Sequence, residues 1–530
     1  MRCLMVIGAM LVGLSGSIAG QTSAGQFVLR SGNDTIAVEQ FNRTAGLLKS
    51  ESLIKVVNAR ISFDMTIAPD GTVPRVVSRY WQATDSAGAQ PRQTATFTIR
   101  GDSVIAEISA GGAPQTQRLV SKSGAIPYIN PSIAVMEVVL ERARKTGALT
   151  AEIPIFAVAG GQTFAAMVKA GDSVVVTMTG GDMRFVMDRA GRIRGGRIPA
   201  QNLVIERSDA GGPGALAVEK PDYSAPANAP YSAIDVTVPT PMGHTLAGTL
   251  TLPKGAAPNA RVPAVVTITG SGAQDRDEAI PIVKGYRLFR EIADSLSRIG
   301  IAVLRMDDRG YGGSGGDVGR ATSADFAEDI RAGLAYLRSR PEIDGTRLGL
   351  VGHSEGGIIA PMVAAKESDL RGIVLLAGTA YAGDRILRFQ LRNNFSNDTS
   401  RSVAQRDSMI AGIPAMIDSL KQMPWMDYFL TYDPLTTARR VKTPVLILQG
   451  ATDQQVTADQ APELERAFKQ AGNPDVTARV FPNLNHLFVY DPNGFPGGYT
   501  RLPSSKVDSE VIGALADWLV NRLQVRAGTP

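Results

Sequence analysis

The run RLGLVGHSEGGIIAPMVAAKES, residues 347–368, decides the architecture of the second half of this 530-residue chain. It reads as a strand, a tight turn and a helix in immediate succession. Arg347 to Gly352 is short and mostly apolar, Gly352-His353-Ser354-Glu355-Gly356-Gly357 is the turn, and an apolar helical pattern follows at once. Glycines flank the serine because so sharp a turn leaves little room for side chains, and the hydroxyl is forced out beyond the strand. There it stands over the first turn of a helix, whose dipole favours negative charge. A second Gly-x-Ser-x-Gly match, Gly312 to Gly316 around Ser314, has no strand leading directly into it and no helix directly after it. Ser314 is therefore not expected to act.

Outward from this turn one grammar persists. Runs at 234–238, 244–253, 263–270, 301–307, 347–352, 372–378, 444–450 and 477–482 read as strands. Helical patterns occupy 285–298, 324–338, 356–366, 458–470 and 507–523. Such alternation predicts an α/β domain over 231–526, a mostly parallel sheet with helices on both faces. Ligand sites in such sheets form at the carboxyl ends of strands. Residues 379–443 are too many for a simple crossover and carry helical stretches with Leu, Met, Phe and Trp425.

A serine hydroxyl needs a base, and the chain holds three histidines. His353 adjoins Ser354 on the turn, where neighbours point apart, and is expected to pack beside it. His244 opens a strand ahead of every other motif and is expected at a surface or edge. His486, in FPNLNHLF (481–488), follows the last strand-like run and precedes the last helix, so it takes the role of base. Asp453, in QGATD (449–453), comes directly after a strand-like run and orients that base, with a helix N-cap as its alternative role. The order Ser354, Asp453, His486, each beyond a strand, is more specific than any one motif. An oxyanion needs two backbone N–H donors. Glu355 supplies one, and the loop Ser271-Gly272-Ala273-Gln274 the other, with Ala273 and Gln274 both candidates. Asp275-Arg276-Asp277-Glu278, next in line, reads either as a brace for this loop or as a solvated charge run.

The first half is different. Residues 1–24, MRCLMVIGAMLVGLSGSIAGQTSA, carry one charge at Arg2, an apolar run from Leu4 to Leu14 and then small residues. This layout predicts a secretory signal peptide cut between Ala19 and Ala24, and hence a periplasmic or extracellular protein with no stable membrane span. Cys3, the single cysteine, would leave with it. From 25 to 220 short alternating runs, such as 61–72, 94–109, 171–193 and 201–209, are separated by Asp-Gly, Gly-Asp and Gly-Gly pairs. They predict an antiparallel β-rich domain with one helix near 131–145. Gly211 to Pro230, rich in Gly, Ala and Pro, reads as a linker ending at 221–230. With 55 Lys+Arg against 50 Asp+Glu and no basic run, nucleic acid is not an expected partner. Three histidines and one cysteine cannot build a His- or Cys-rich metal site. A mean hydropathy near zero excludes a multi-spanning membrane protein.

Together GSGAQDRD (270–277), DRGYG (308–312) and GHSEG (352–356) resemble the α/β-hydrolase superfamily, and within it the bacterial esterase and serine-aminopeptidase-like branch, over 231–526. The resemblance implies an α/β-hydrolase fold with a helical cap and no cofactor. It also implies that Asp308 and Arg309 are structural, bracing the loop after run 301–307. The chain departs from many relatives in having Ser271-Gly272 where His-Gly is common. The expected function is that of an exported serine hydrolase cleaving small carboxylic esters through an acyl-enzyme on Ser354. A serine aminopeptidase or amidase is the alternative, and a non-catalytic envelope-binding protein a third reading. The β-rich half is too short for the propeller of prolyl-oligopeptidase relatives.

Overall fold

The structure, a computed structural model, describes residues 23–525 except 33, 86–87, 111–112, 172, 179–180, 209–215, 217–220 and 400. The expected signal peptide lies outside the described residues apart from Ser23 and Ala24, which begin a strand. Contacts divide the chain into two compact units, one ending at residue 219 and the other starting at residue 220.

Among its described residues the first unit forms a single fifteen-stranded sheet. Strand Ser23–Ser31 lies at its middle, antiparallel to Asp34–Arg43 on one side and to Leu203–Ser208 on the other. Hairpin follows hairpin outward on both flanks, as the turn pairs predict, except at one edge, where strand Ile126–Tyr128 lies parallel to Thr150–Ala157 because the helix connects them. Both flanks send apolar side chains onto the helix Ala134–Lys145. Val135, Val139 and Leu140 share one core with Phe63 and Val76 from one flank and Ile153 and Phe185 from the other. The helix is held at its start by a strand, because Glu39 accepts the N–H groups of Ile133 and Ala134 at 2.7 and 3.0 Å. Further along, Glu137 pairs with Arg207 at 2.7 Å, both side chains almost wholly buried.

The segment read as a linker is, from Pro221 onward, bound to the second unit. The Arg276 guanidinium lies 4.3 Å over the Tyr223 ring, and Arg290 donates to the Ser224 carbonyl at 2.9 Å. One aromatic side chain in a Gly- and Pro-rich stretch is enough to dock it.

In the second unit the strands are numbered β1 (Tyr231–Pro239), β2 (Thr245–Pro253), β3 (Val262–Ile268), β4 (Ala302–Met306), β5 (Ile343–His353), β6 (Gly372–Leu376), β7 (Val445–Gly450) and β8 (Val476–Phe481). Their order in the sheet is β1-β2-β4-β3-β5-β6-β7-β8, parallel from β4 to β8. The helices are α1 (Leu288–Arg298), α2 (Ser323–Ser339), α3 (Gly356–Ala364), the cap helices α4 (Gly383–Ser396), α5 (Val403–Ala411), α6 (Ile413–Leu420), α7 (Pro424–Thr431) and α8 (Pro434–Ala438), then α9 (Gln460–Gln470) and α10 (Ser509–Arg522). Helices α2, α3 and α9 share one core, and α1 and α10 share another. Inner strands feed both. Along β5, Leu348 and Leu350 enter the first core and Val351 the second; along β7, Ile447 enters the first, Leu446 and Leu448 the second. Burial on both faces is why these strands read as continuous apolar runs instead of alternating ones. The fold is the α/β-hydrolase fold, with the β-rich unit before it.

Candidate active site

Between β5 and α3 the backbone turns so tightly that Ser354 takes φ +53°, a left-handed conformation unusual for a side-chain-bearing residue. Its N–H donates to the Leu376 carbonyl at the end of β6, 2.8 Å away. A Cβ on Gly352 would stand 2.1 Å from the Gly356 carbonyl oxygen, and one on Gly356 would stand 2.2 Å from that of Ile268. The flanking glycines are thus fixed by contact with backbone, as the motif predicts.

Asp453 and His486 lie in the loops beyond β7 and β8. His486 Nδ1 is 2.8 Å from Asp453 Oδ2, and both side chains are buried. The same Asp453 oxygen accepts from Gln449 Nε2 at 3.0 Å, while Oδ1 accepts the N–H groups of Gln455 and Val456 at 2.7 and 2.9 Å. Every lone pair that could draw the carboxylate away from the histidine is occupied. Thr452 ties the two loops together, its hydroxyl donating toward the carbonyls of Leu484 and Asp491. Asn485 shapes the histidine loop by accepting from the N–H groups of Leu487 and Val489.

The remaining histidines stand apart from the acid. His244 is bound by Thr240 and Asp329, the latter also paired with Arg309. His353 packs beside the elbow, its ring centroid 4.8 Å from that of His486. Its Nε2 donates to the His486 carbonyl at 2.9 Å, and its Nδ1 lies 2.7 Å from Glu278 Oε1. Burial alone would lower the basicity of His353, but the Glu278 carboxylate beside it reverses the direction and raises it. Ser314 is buried, donating to the Asp307 carbonyl and accepting the N–H of Ala247.

The loop after β3 is braced from within. Gly270 lies against the Ser354 turn, where a Cβ would meet that of Ser354 at 3.2 Å, and its N–H donates to Glu278 Oε1 at 2.9 Å. Arg276, Asp277 and Glu278 are all buried. Arg276 pairs with Asp307, Asp277 with Arg305, and Glu278 with His353. Of the two sequence readings, the brace holds and the solvated run does not. Asp308 accepts the Thr269 hydroxyl at 2.6 Å and the N–H of Gln274 at 2.8 Å. Gln274 is therefore not free as an oxyanion donor, because that N–H is engaged in shaping its own loop. Burial holds Asp308 well above the usual carboxylate range.

Glu355, after the serine, is buried, and burial raises its pKa although Ser323, Trp425 and Ser271 donate to it. The Trp425 indole N–H reaches it at 2.8 Å from cap helix α7, and the Ser323 hydroxyl at 2.6 Å from α2. Trp425 also stacks on Phe429, centroids 5.8 Å apart. This link escaped sequence reading. Its one signal was an indole N–H in an apolar helical stretch, which has to find an acceptor when buried. Among the described residues, no group of three or more His, Cys, Asp or Glu is placed to hold a metal ion, and no helix is long and apolar enough to cross a membrane.

A strained serine over a helix start, on a sheet of this order, defines a serine hydrolase of the α/β-hydrolase class. The chain belongs to that family, in its esterase and serine-aminopeptidase-like branch. Residues 282–493 match the family model described as serine aminopeptidase, S33. Esterase EstD of Thermotoga maritima is 30% identical over 321 residues, which cover 57% of this chain and 70% of that protein. The uncharacterized peptidase YuxL of Bacillus subtilis is 25% identical over 216 residues, 38% of this chain but 28% of that protein. The solved esterase Pf2001 of Pyrococcus furiosus is 18% identical, with 56% of this chain and 93% of that one covered at a TM-score of 0.39.

Proposed function

We propose that this protein is an exported carboxylesterase working through a Ser354–His486–Asp453 triad. The observation that carries the reading is the 2.8 Å bond between Asp453 and His486 Nδ1, which leaves Nε2 as the basic nitrogen, in a molecule whose nucleophile turn is already strained open. Ser354 Oγ attacks the ester carbonyl while His486 Nε2 takes its proton. The C–O bond to the leaving alcohol then breaks, and His486 returns the proton to that oxygen. Water, activated by the same nitrogen, opens the acyl-enzyme and regenerates Ser354. The tetrahedral oxygen is held by the N–H of Glu355 and by one N–H of the loop after β3. Ser271 and Ala273 are the candidates for the second donor. Ser271 is the better placed, since it directly follows the glycine that lies on Ser354. Trp425, stacked on Phe429, ties cap helix α7 to Glu355 beside the proposed nucleophile. An ester substrate is favoured by the likeness to Esterase EstD over most of that protein. Export is favoured by the layout of residues 1–24.

Covalent labelling with a fluorophosphonate tests the mechanism. Wild type labels and Ser354→Ala does not; a folded wild type that stays unlabelled sinks the proposal. Turnover of p-nitrophenyl esters against aminoacyl anilides separates the esterase from the aminopeptidase reading.

A further inference from the structure

Behind the proposed triad runs a second acid–histidine pair whose parts the mechanism does not use. Glu278 Oε1 receives two groups at once, the N–H of Gly270 at 2.9 Å and His353 Nδ1 at 2.7 Å. The far side of the same ring, Nε2, can only donate to what it meets, the main-chain carbonyl of His486 at 2.9 Å. All three side chains are buried. One carboxylate thus holds the oxyanion loop, and through His353 it holds the backbone of the histidine loop. The proton between Glu278 and His353 belongs to the more basic partner, which is the imidazole in the ordinary order of acidities.

We propose that His353 is a doubly protonated, positively charged positioning residue, held so by Glu278, and that the pair fixes the main chain of His486 against the loop after β3. The His353 and His486 rings lie side by side, with centroids 4.8 Å apart. The groups that face the pair come from several elements. Asp453 and His486 approach from the loops after β7 and β8, Asp308 from the loop after β4, and Tyr286 from the turn before α1. The Phe488 ring closes one edge, 6.3 Å from His353. The raised basicity of His353 agrees with this assignment. Glu278 Oε2 is buried with no hydrogen-bond partner among the described residues, so His353 is the group that balances this carboxylate.

The inference rests on His486 as the base only for its kinetic consequence. With three histidines in the chain, imidazole NMR on 15N-histidine-labelled protein is readily assigned by single variants. At about pH 8, where an ordinary imidazole is neutral, the signal lost in His353→Gln should carry protons on both nitrogens at imidazolium shifts. In Glu278→Gln the same signal should become that of a neutral ring. A neutral His353 in wild type, or an unchanged imidazolium in Glu278→Gln, overturns the proposal. In His353→Gln kcat should fall by roughly tenfold or more, because the His486 main chain loses its anchor; an unchanged kcat in a folded variant means that the pair positions nothing and also overturns it. If His486→Ala retains full activity, it is the triad reading that fails, and the NMR result still decides the charge of His353.

Discussion

Ser354 carries its conformation as strain. A residue with a side chain held at positive φ costs of order 1–3 kcal/mol, supplied by the surrounding fold. Ser354→Gly should therefore raise the thermal midpoint, by a stability gain of about 1 kcal/mol, while abolishing turnover. Calorimetry beside an ester assay checks both halves, and a less stable glycine variant would show the turn to be unstrained. The sequence nominates this residue from its glycines and nominates His486 by the scarcity of histidine. It could not locate Glu278, since a carboxylate at the end of a charged run looks the same whether solvated or buried. Its contact with His353 spans 75 residues of chain, and nothing local encodes it.

Among the elements, the cap shows where pattern reading stops. The apolar stretches of 379–443 predict helices there, and among the described residues five are found between Gly383 and Ala438. Which of them reaches the elbow is not in the pattern. Helix α7 does so through one bond, Trp425 to Glu355. Trp425→Phe keeps the stacking on Phe429 but removes a donor from a buried carboxylate, a loss of about 1.5–3 kcal/mol for a bond to a charged group. The expected result is a lower melting temperature and a raised KM for bulky esters; unchanged values of both would mean that the cap is held elsewhere. The pH dependence has a definite sign. Because burial raises the pKa of Glu355, the folded state binds its proton more tightly than the unfolded chain. Stability from this group is full below the unfolded carboxylate pKa and declines as pH rises toward the folded value. Removing the Trp425 donor raises that value further, so melting curves of Trp425→Phe should lose stability over a window reaching to higher pH than in wild type.

At the scale of the whole molecule, each unit has cores of its own. In the first unit the buried pair Glu137–Arg207 joins the helix to the last strand, and the Arg207 guanidinium also lies over the Phe27 and Phe41 rings. Arg207→Met leaves Glu137 buried and unpaired, which costs about 3–5 kcal/mol. The thermal transition of the first unit should drop while fluorophosphonate labelling at room temperature persists; loss of labelling would show that the hydrolase unit depends on the first. The sequence by itself determined the two-part division, the strand–helix alternation and the order Ser354, Asp453, His486. It could do so because hydrophobic period, turn glycines and chain order are local properties that one stretch of residues can carry. Only the tertiary structure decided that, among the described residues, fifteen strands form one sheet packed on one helix, that Gln274 serves its own loop, that Tyr223 docks the linker, and that Trp425 and Glu278 reach the Ser354 turn. Each of those is a contact between distant segments, fixed by which surfaces must be buried together, and no window of sequence contains both partners.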